Sequence, residues 1–187
     1  MKSAPRLALW ALFIAGHPGS LPSVQLGLDG LALKSLVKMF GESIAMSTST
    51  IRLSAQEIDS IAVRSKTRWP GDSVRIYTVR GPGQIVVGYG FPDEVKGKTQ
   101  LITYLVGVGP DGCVKDVDVL VYRESYGGEI TYETFRKQFR QKSSSDNLRA
   151  GKNIKNISGA TISVRAITDG VRRILATFEA IRPRLVK

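Results

Sequence analysis

Near the C-terminus the chain reads Ile157-Ser158-Gly159-Ala160-Thr161-Ile162-Ser163, and from there apolar residues recur at helical spacing: Ile162, Ala166, Ile167, Val171, Ile174, Leu175 and Phe178. The spacing predicts a helix from about 161 to 181. A helix start leaves its first N–H groups without intrahelical acceptors, and the aligned peptide dipoles place partial positive charge there. Together these stabilise a phosphate or another anion. Gly159 and Ala160 leave the backbone unobstructed, Ser158 and Thr161 bring hydroxyls, and Arg165 lies one turn beyond Thr161, where it can add charge. The chemistry on offer is anion binding with a nucleophilic hydroxyl inside the site. The same residues also suit an ordinary helix capped by Ser158 or Thr161, since Ser and Thr are common caps.

Other chemistries are excluded by composition. Cys113 is the only cysteine and His17 the only histidine, which rules out an intramolecular disulfide, a Cys/His metal site and a Ser-His or Cys-His pair beyond the leader. Asp116 and Asp118 could mimic a carboxylate pair, but strand alternation places them on a solvated face. Lys96 and Lys98 read as solvated, and Trp69 and Tyr77 as packing residues.

The elements that must position the 157–163 segment read as follows. Leu33, Leu36, Val37 and Phe40 share one face of a short helix. Ser54 and Glu57 form a capping box flanked by Leu53 and Ile58 as a hydrophobic staple, and the helix they open ends before Pro70-Gly71. From Ser73 the period changes to two. One hairpin turns at Gly81-Pro82-Gly83 and a second at Gly109-Pro110-Asp111-Gly112. Phe135 and Phe139 stack at i,i+4 in a further short helix, and residues 141–147 form a polar loop. The expected class is α+β: one domain with an antiparallel sheet of about four strands packed against helices, the last of them C-terminal. The expected division is a leader over 1–22, a helical segment over 30–70 and the main domain over 72–182.

The Ile157–Ser163 segment resembles the flavinylation motif of the FMN-binding domain family, which includes the periplasmic flavoprotein subunits of the sodium-pumping quinone reductase and of the Rnf electron-transport complex. In that family the Thr closing Ser-Gly-Ala-Thr is joined to FMN through a phosphoester by a separate FAD:protein FMN transferase. The matching position is Thr161, with Ser158, Gly159, Ala160 and Arg165 around it. Residues 123–130, Arg-Glu-Ser-Tyr-Gly-Gly-Glu-Ile, followed by 135–139, resemble the family's second conserved stretch, a loop beside the flavin. The resemblance implies that Glu124, Tyr126, Gly127 and Gly128 line the isoalloxazine or ribityl side. Residues 97–122 resemble the intervening hairpin, and the likeness covers about 95–180 well and 31–94 more loosely. Lys155 stands where the family usually has Asp, Tyr126 where Pro is common and Glu129 where Gly is frequent.

Charge and leader complete the expectation. The chain carries a net +11, and residues 136–187 hold 13 basic residues against Asp146, Asp169 and Glu179. No zinc spacing or RNA-binding signature accompanies this charge, so no nucleic acid is expected, and a solvated surface or an acidic partner accounts for it. Lys2 and Arg6 precede an apolar run from Leu7 to Gly16, the layout of an export signal and too short to span a bilayer. With the resemblance, the expectation is an extracytoplasmic FMN-carrying electron-transfer protein whose partners are the transferase and membrane redox proteins. No residue acts as a substrate acid or base, which points to a carrier rather than a self-sufficient enzyme. The alternatives are a non-covalent FMN binder, or a basic non-redox module of the same fold.

Overall fold

The computed structural model describes residues 23–185, so the leader with its apolar run Leu7–Gly16 lies outside the described residues. The two glycine-proline turns fold the centre of the chain into a meander of strands β2 (Ser73–Arg80), β3 (Val86–Lys96), β4 (Leu101–Val108) and β5 (Val114–Val121), every neighbour antiparallel. A fifth strand that the sequence did not announce, β1 (Ala45–Arg52), pairs with β2 at the edge. Its sequence, Ala-Met-Ser-Thr-Ser-Thr-Ile-Arg, is exposed over most of its length, so backbone pairing rather than a buried apolar face makes it a strand.

Both faces of the sheet are covered. Helices α2 (Ala55–Ser65) and α4 (Thr161–Ile181) bury one face, where Ile76, Phe91, Ile102, Tyr104 and Val106 meet Ile61, Val164, Ile167, Ile174 and Phe178. Each such side chain contributes about 1.5–3 kcal/mol on burial. On the other face helix α1 (Ser23–Phe40) sets Ala32 and Leu36 against Tyr77, Val79 and Leu105. Its inward stripe is Ala32, Ser35 and Leu36 with Met39 and Phe40, rather than the Leu33-Leu36-Val37-Phe40 face expected. The turn toward Asp29 and Ser35 has a polar reason: Asp29 accepts from Tyr77 Oη at 2.6 Å and pairs with Arg75 at 2.5 Å, and Ser35 Oγ donates to Asp118 at 2.5 Å. Burial and the Asp29 bond push the Tyr77 hydroxyl well above its ordinary pKa.

The expected solvated face of β5 is therefore occupied. Asp116 and Asp118 are each less than one fifth exposed and pair with Arg136 at 3.5 and 3.3 Å, and Asp116 takes Arg140 at 3.0 Å. Arg136 ends α3 (Glu133–Arg136), a single turn continued by 3₁₀ geometry through Phe139, in which Phe135 and Phe139 meet edge to face at 5.4 Å. The cations of α4 divide likewise. Arg173 is 12% exposed and pairs at 2.5 Å with Asp93, which also accepts from Tyr104 Oη, while its guanidinium lies over Trp69. Arg172 donates to the carbonyls of Ser65 and Leu148 and to Asp169. These two arginines hold α4 to the sheet, to α2 and to the loop before it.

Candidate functional site

The segment before α4 is fixed from behind. The Lys155 N–H donates to Gln138 Oε1 at 2.7 Å, Ile154 is buried, and Ala160 N–H bonds the Ile157 carbonyl at 3.0 Å, closing a turn in which Gly159 takes φ +79°. The helix then begins without the expected cap. Its cap residue is Ala160, which has no side-chain oxygen, and neither Ser158 nor Thr161 takes that role; Thr161 is the first helical residue. The N–H groups of Thr161, Ile162 and Ser163 are left without helical acceptors. Thr161 and Ile162 are exposed at this end, and Val164 and the residues behind it carry the packing.

This open start forms one wall of a cavity of about 560 Å³. The opposite walls are the β3–β4 turn, through Lys98 and Thr99, and the loop after β5, through Glu124, Ser125 and Tyr126. Gly97 N–H bonds the Gln100 carbonyl to close the turn. Glu124 pins it from the neighbouring loop by accepting from Thr99 N–H at 2.8 Å, Thr99 Oγ1 at 2.7 Å and Gln100 N–H at 3.1 Å. The Thr99 hydroxyl and the two N–H groups hold the Glu124 carboxyl down at about 2. The carboxylate comes so close to the turn that a side chain at position 97 would meet Glu124 Oε1 at 2.4 Å.

The Glu124–Gly128 loop is set against α4 by one contact. Gly127 has φ +84°, and a Cβ there would lie 2.5 Å from the Cβ of Ala160, so the loop backbone packs directly on the residue before Thr161. Tyr122 Oη anchors the loop through the Tyr126 carbonyl at 2.5 Å, which leaves the Tyr126 ring 80% exposed at the cavity.

The structure thus brings Gly159, Ala160, Thr161, Glu124 and Tyr126 to one cavity. Gly127 stands behind it, and Gly128, Ser158 and Arg165 are not among its lining residues; Ser158 and Arg165 are exposed. Glu124 lines the cavity with its oxygens committed to the turn. Sequence reasoning missed Thr99 and Ser163, and it read Lys98 as a solvated cation; Lys98 is exposed as expected and also lines the cavity. The fold and site define an α+β domain whose terminal helix offers open N–H groups, a hydroxyl and a neighbouring lysine to an anion.

Residues 97–176 match the model of the FMN-binding domain. Two curated relatives, each a subunit of a larger complex, are similar to it. The one from a proton-translocating ferredoxin:NAD(+) oxidoreductase complex of Clostridium ljungdahlii is 36% identical over 98 residues, 48% of this chain and 52% of the relative. The one from a Na(+)-translocating ferredoxin:NAD(+) oxidoreductase complex of Acetobacterium woodii is 26% identical over 138 residues, 67% of this chain and 65% of the relative. The chain thus spans between about half and two thirds of their lengths. Among solved structures, NqrC of Shewanella oneidensis shares the fold with a TM-score of 0.56 at 17% identity, over 81% of this chain and 86% of that one.

The residues present fit FMN. A phosphate suits the uncapped start of α4 beside Lys98, and the exposed faces of Tyr126 and Ile162 suit a ring system. The cavity volume lies in the range of small-molecule sites, about 300–1,000 Å³. Among the described residues no cluster of His, Cys, Asp and Glu could hold a metal, and no helix is long and apolar enough to cross a membrane.

Proposed function

We propose that this chain is an electron-transfer flavoprotein that works as a subunit of a membrane redox complex of the Rnf or Nqr kind, with FMN joined through a phosphoester to Thr161. The observation that carries the reading is the start of α4: a helix that forgoes a cap, with an exposed threonine as its first residue at the mouth of a cavity. The names of the relatives, subunits of ferredoxin:NAD(+) oxidoreductase complexes, support the assignment to such a complex. The apolar run Leu7–Gly16 behind Lys2 and Arg6 supports placement outside the cytoplasmic membrane.

Bound FMN supplies one- and two-electron chemistry, and the protein supplies position and electrostatics. Thr161 Oγ1 serves as nucleophile once, when an FAD:protein FMN transferase presents FAD. A bond forms from Oγ1 to the phosphorus of the FMN half, the bond from that phosphorus to the AMP phosphate breaks, AMP leaves, and the hydroxyl proton passes to a base of the transferase. Thereafter Thr161 is a tether. The N–H groups of Ile162 and Ser163 and the Lys98 ammonium would hold the FMN phosphate, and Tyr126 would bound the ring side.

The test is in-gel flavin fluorescence after denaturing electrophoresis of the chain coexpressed with a flavin transferase. The wild type is expected to fluoresce, Thr161→Ser to retain the signal in part and Thr161→Ala to be dark. A dark wild type beside a labelled control substrate would remove the covalent link, and flavin present in the native protein but lost on denaturation would leave a non-covalent site.

A further inference from the structure

Arg172 gathers three separate stretches of chain at one point. Its guanidinium donates to the Ser65 carbonyl at 2.6 Å, to the Leu148 carbonyl at 2.7 Å and to Asp169 at 2.9 Å. Ser65 ends α2 and is flanked by Arg64, Lys66 and Arg68; Leu148 leads into a loop with Arg149, Lys152 and Lys155; and Asp169 lies one turn beyond Arg165. The clasp therefore gathers eight cations, Arg172 included, along the stretches it joins, and the carboxylate it binds, Asp169, is already paired with Arg172. Arg64, Lys66, Arg68, Lys152, Lys155 and Arg165 form no ion pair among the described residues, and each is exposed. The charge is not balanced within the fold, and bringing it together works against stability.

The surface runs to the edge of the site. Lys155 opens the loop that ends in Thr161, and Arg165 stands on the same helix stripe one turn after it. Exposed apolar side chains accompany the cations: Val63 at 79% beside Arg64, and Ile162 at 52%, which also lines the cavity.

We infer that the basic surface gathered by Arg172 is the docking face for the acidic surface of a redox protein, seated so that the partner abuts the mouth of the Thr161 cavity. That the partner is a redox protein rests on the flavoprotein reading; that it is acidic rests on the surface alone. A bilayer seated on the same face would cover the cavity mouth with head groups and bar a redox protein from it, which favours a protein occupant. Electrostatic complementarity of this kind sets association rate and orientation and weakens with salt. It also gives Lys155 a place as the cation that opens the loop leading to Thr161.

The test is binding, so its outcome does not depend on whether flavin is present. The full chain, with and without FMN, is titrated calorimetrically with an oxidised plant-type [2Fe–2S] ferredoxin as the acidic protein probe, and is separately sedimented with phosphatidylserine-containing vesicles. Arg64→Glu with Lys152→Glu reverses charge on the surface, and Lys34→Glu with Lys38→Glu makes the same change on α1, on the opposite face of the sheet. The surface variant is expected to weaken ferredoxin binding about tenfold or more and the α1 variant about twofold at most, with wild-type affinity falling steeply between about 20 and about 200 mM salt. Equal losses in both variants, no measurable ferredoxin binding, or vesicle binding that alone depends on the surface would each overturn the inference. Absence of FMN with binding intact would strike the flavoprotein reading and leave the docking face standing.

Discussion

Helices α2 and α4 pack on the same face of the sheet, yet they begin in opposite ways. Ser54 sits extended at φ −74°, ψ 161°; its Oγ accepts the Glu57 N–H at 3.2 Å and its own N–H donates to Glu57 at 2.7 Å. Arg184 closes over Glu57 at 3.1 Å, so the capping box is itself held by a cation from the end of the chain. Ala160 at the start of α4 has neither a side-chain oxygen nor an extended ψ, being at φ −121°, ψ 18°. Forgoing a cap costs about 1 kcal/mol. The two helices share an amphipathic pattern and differ at their first donors: a side chain of the protein caps α2, and no side chain caps α4. A helix start that lacks its cap beside a cavity is thus a better marker of the site than the presence of Ser and Thr nearby, which both helices have.

The largest expected effect comes from breaking the support of the open start. Gly127→Ala places a methyl 2.5 Å from the Ala160 Cβ at a φ of +84°. It is expected to cost about 2–3 kcal/mol, lowering Tm by about 5–10 °C, and to reduce flavin loading because Ala160 must move. Gly159→Ala has a similar positive φ of +79° but open space around it. Strain alone there costs about 1 kcal/mol. Thermal melts of the two variants separate clash from strain, and equal losses would show that Gly127 does not press on the helix start.

The next comparison exchanges roles between the two ends. Ser54→Ala is expected to cost about 1 kcal/mol and to leave flavin content unchanged. Thr161→Ala is expected to change stability by less than about 0.5 kcal/mol, since the Thr161 side chain is exposed and caps nothing, while abolishing covalent flavin. Denaturant melts read against flavin absorbance decide it. A stability loss at Thr161 as large as that at Ser54 would make α4 an ordinary capped helix.

What was legible in the sequence follows from how local each signal is. The capping box, the two hairpins, the contact of Phe135 with Phe139 and the apolar stripe of α4 are written within a few residues each, and all are present except that Ile162, the first residue of the stripe, is exposed and the two rings meet edge to face. Strand β1 was not, because an edge strand of Ser and Thr has almost no apolar period. The paired, partly buried roles of Asp116 and Asp118 were misread as solvated for one reason: period gives the direction of a side chain but not what another element lays over it. Of the residues lining the cavity, Thr161 stood out in the sequence through its motif, whereas Lys98 and Thr99 did not, since Thr99 is held there by a carboxylate about 25 residues away in sequence.

That carboxylate yields the smallest and most local expectation. Glu57 and Glu124 both accept backbone N–H groups, but Glu57 completes a helix start whereas Glu124 leaves the nearby helix start alone and holds the Thr99–Gln100 turn instead. Its negative charge is thereby spent away from the place an anion would occupy. The Glu124 pKa is depressed from 4.5 to about 2 by the Thr99 hydroxyl and the turn's N–H groups. A depressed acid lends its support fully above its ordinary value and loses it as pH falls through the lowered one. The turn is therefore expected to stay pinned at pH 4, where a free glutamate is largely protonated, and to release near pH 2. Carboxyl carbon shifts of Glu124, followed by NMR together with the amides of Thr99 and Gln100, should titrate with one midpoint near 2. A midpoint near 4.5 would mean that the turn is held by its own Gly97–Gln100 bond and that Glu124 is left facing the cavity as a free charge, opposing the anion that the open start of α4 invites.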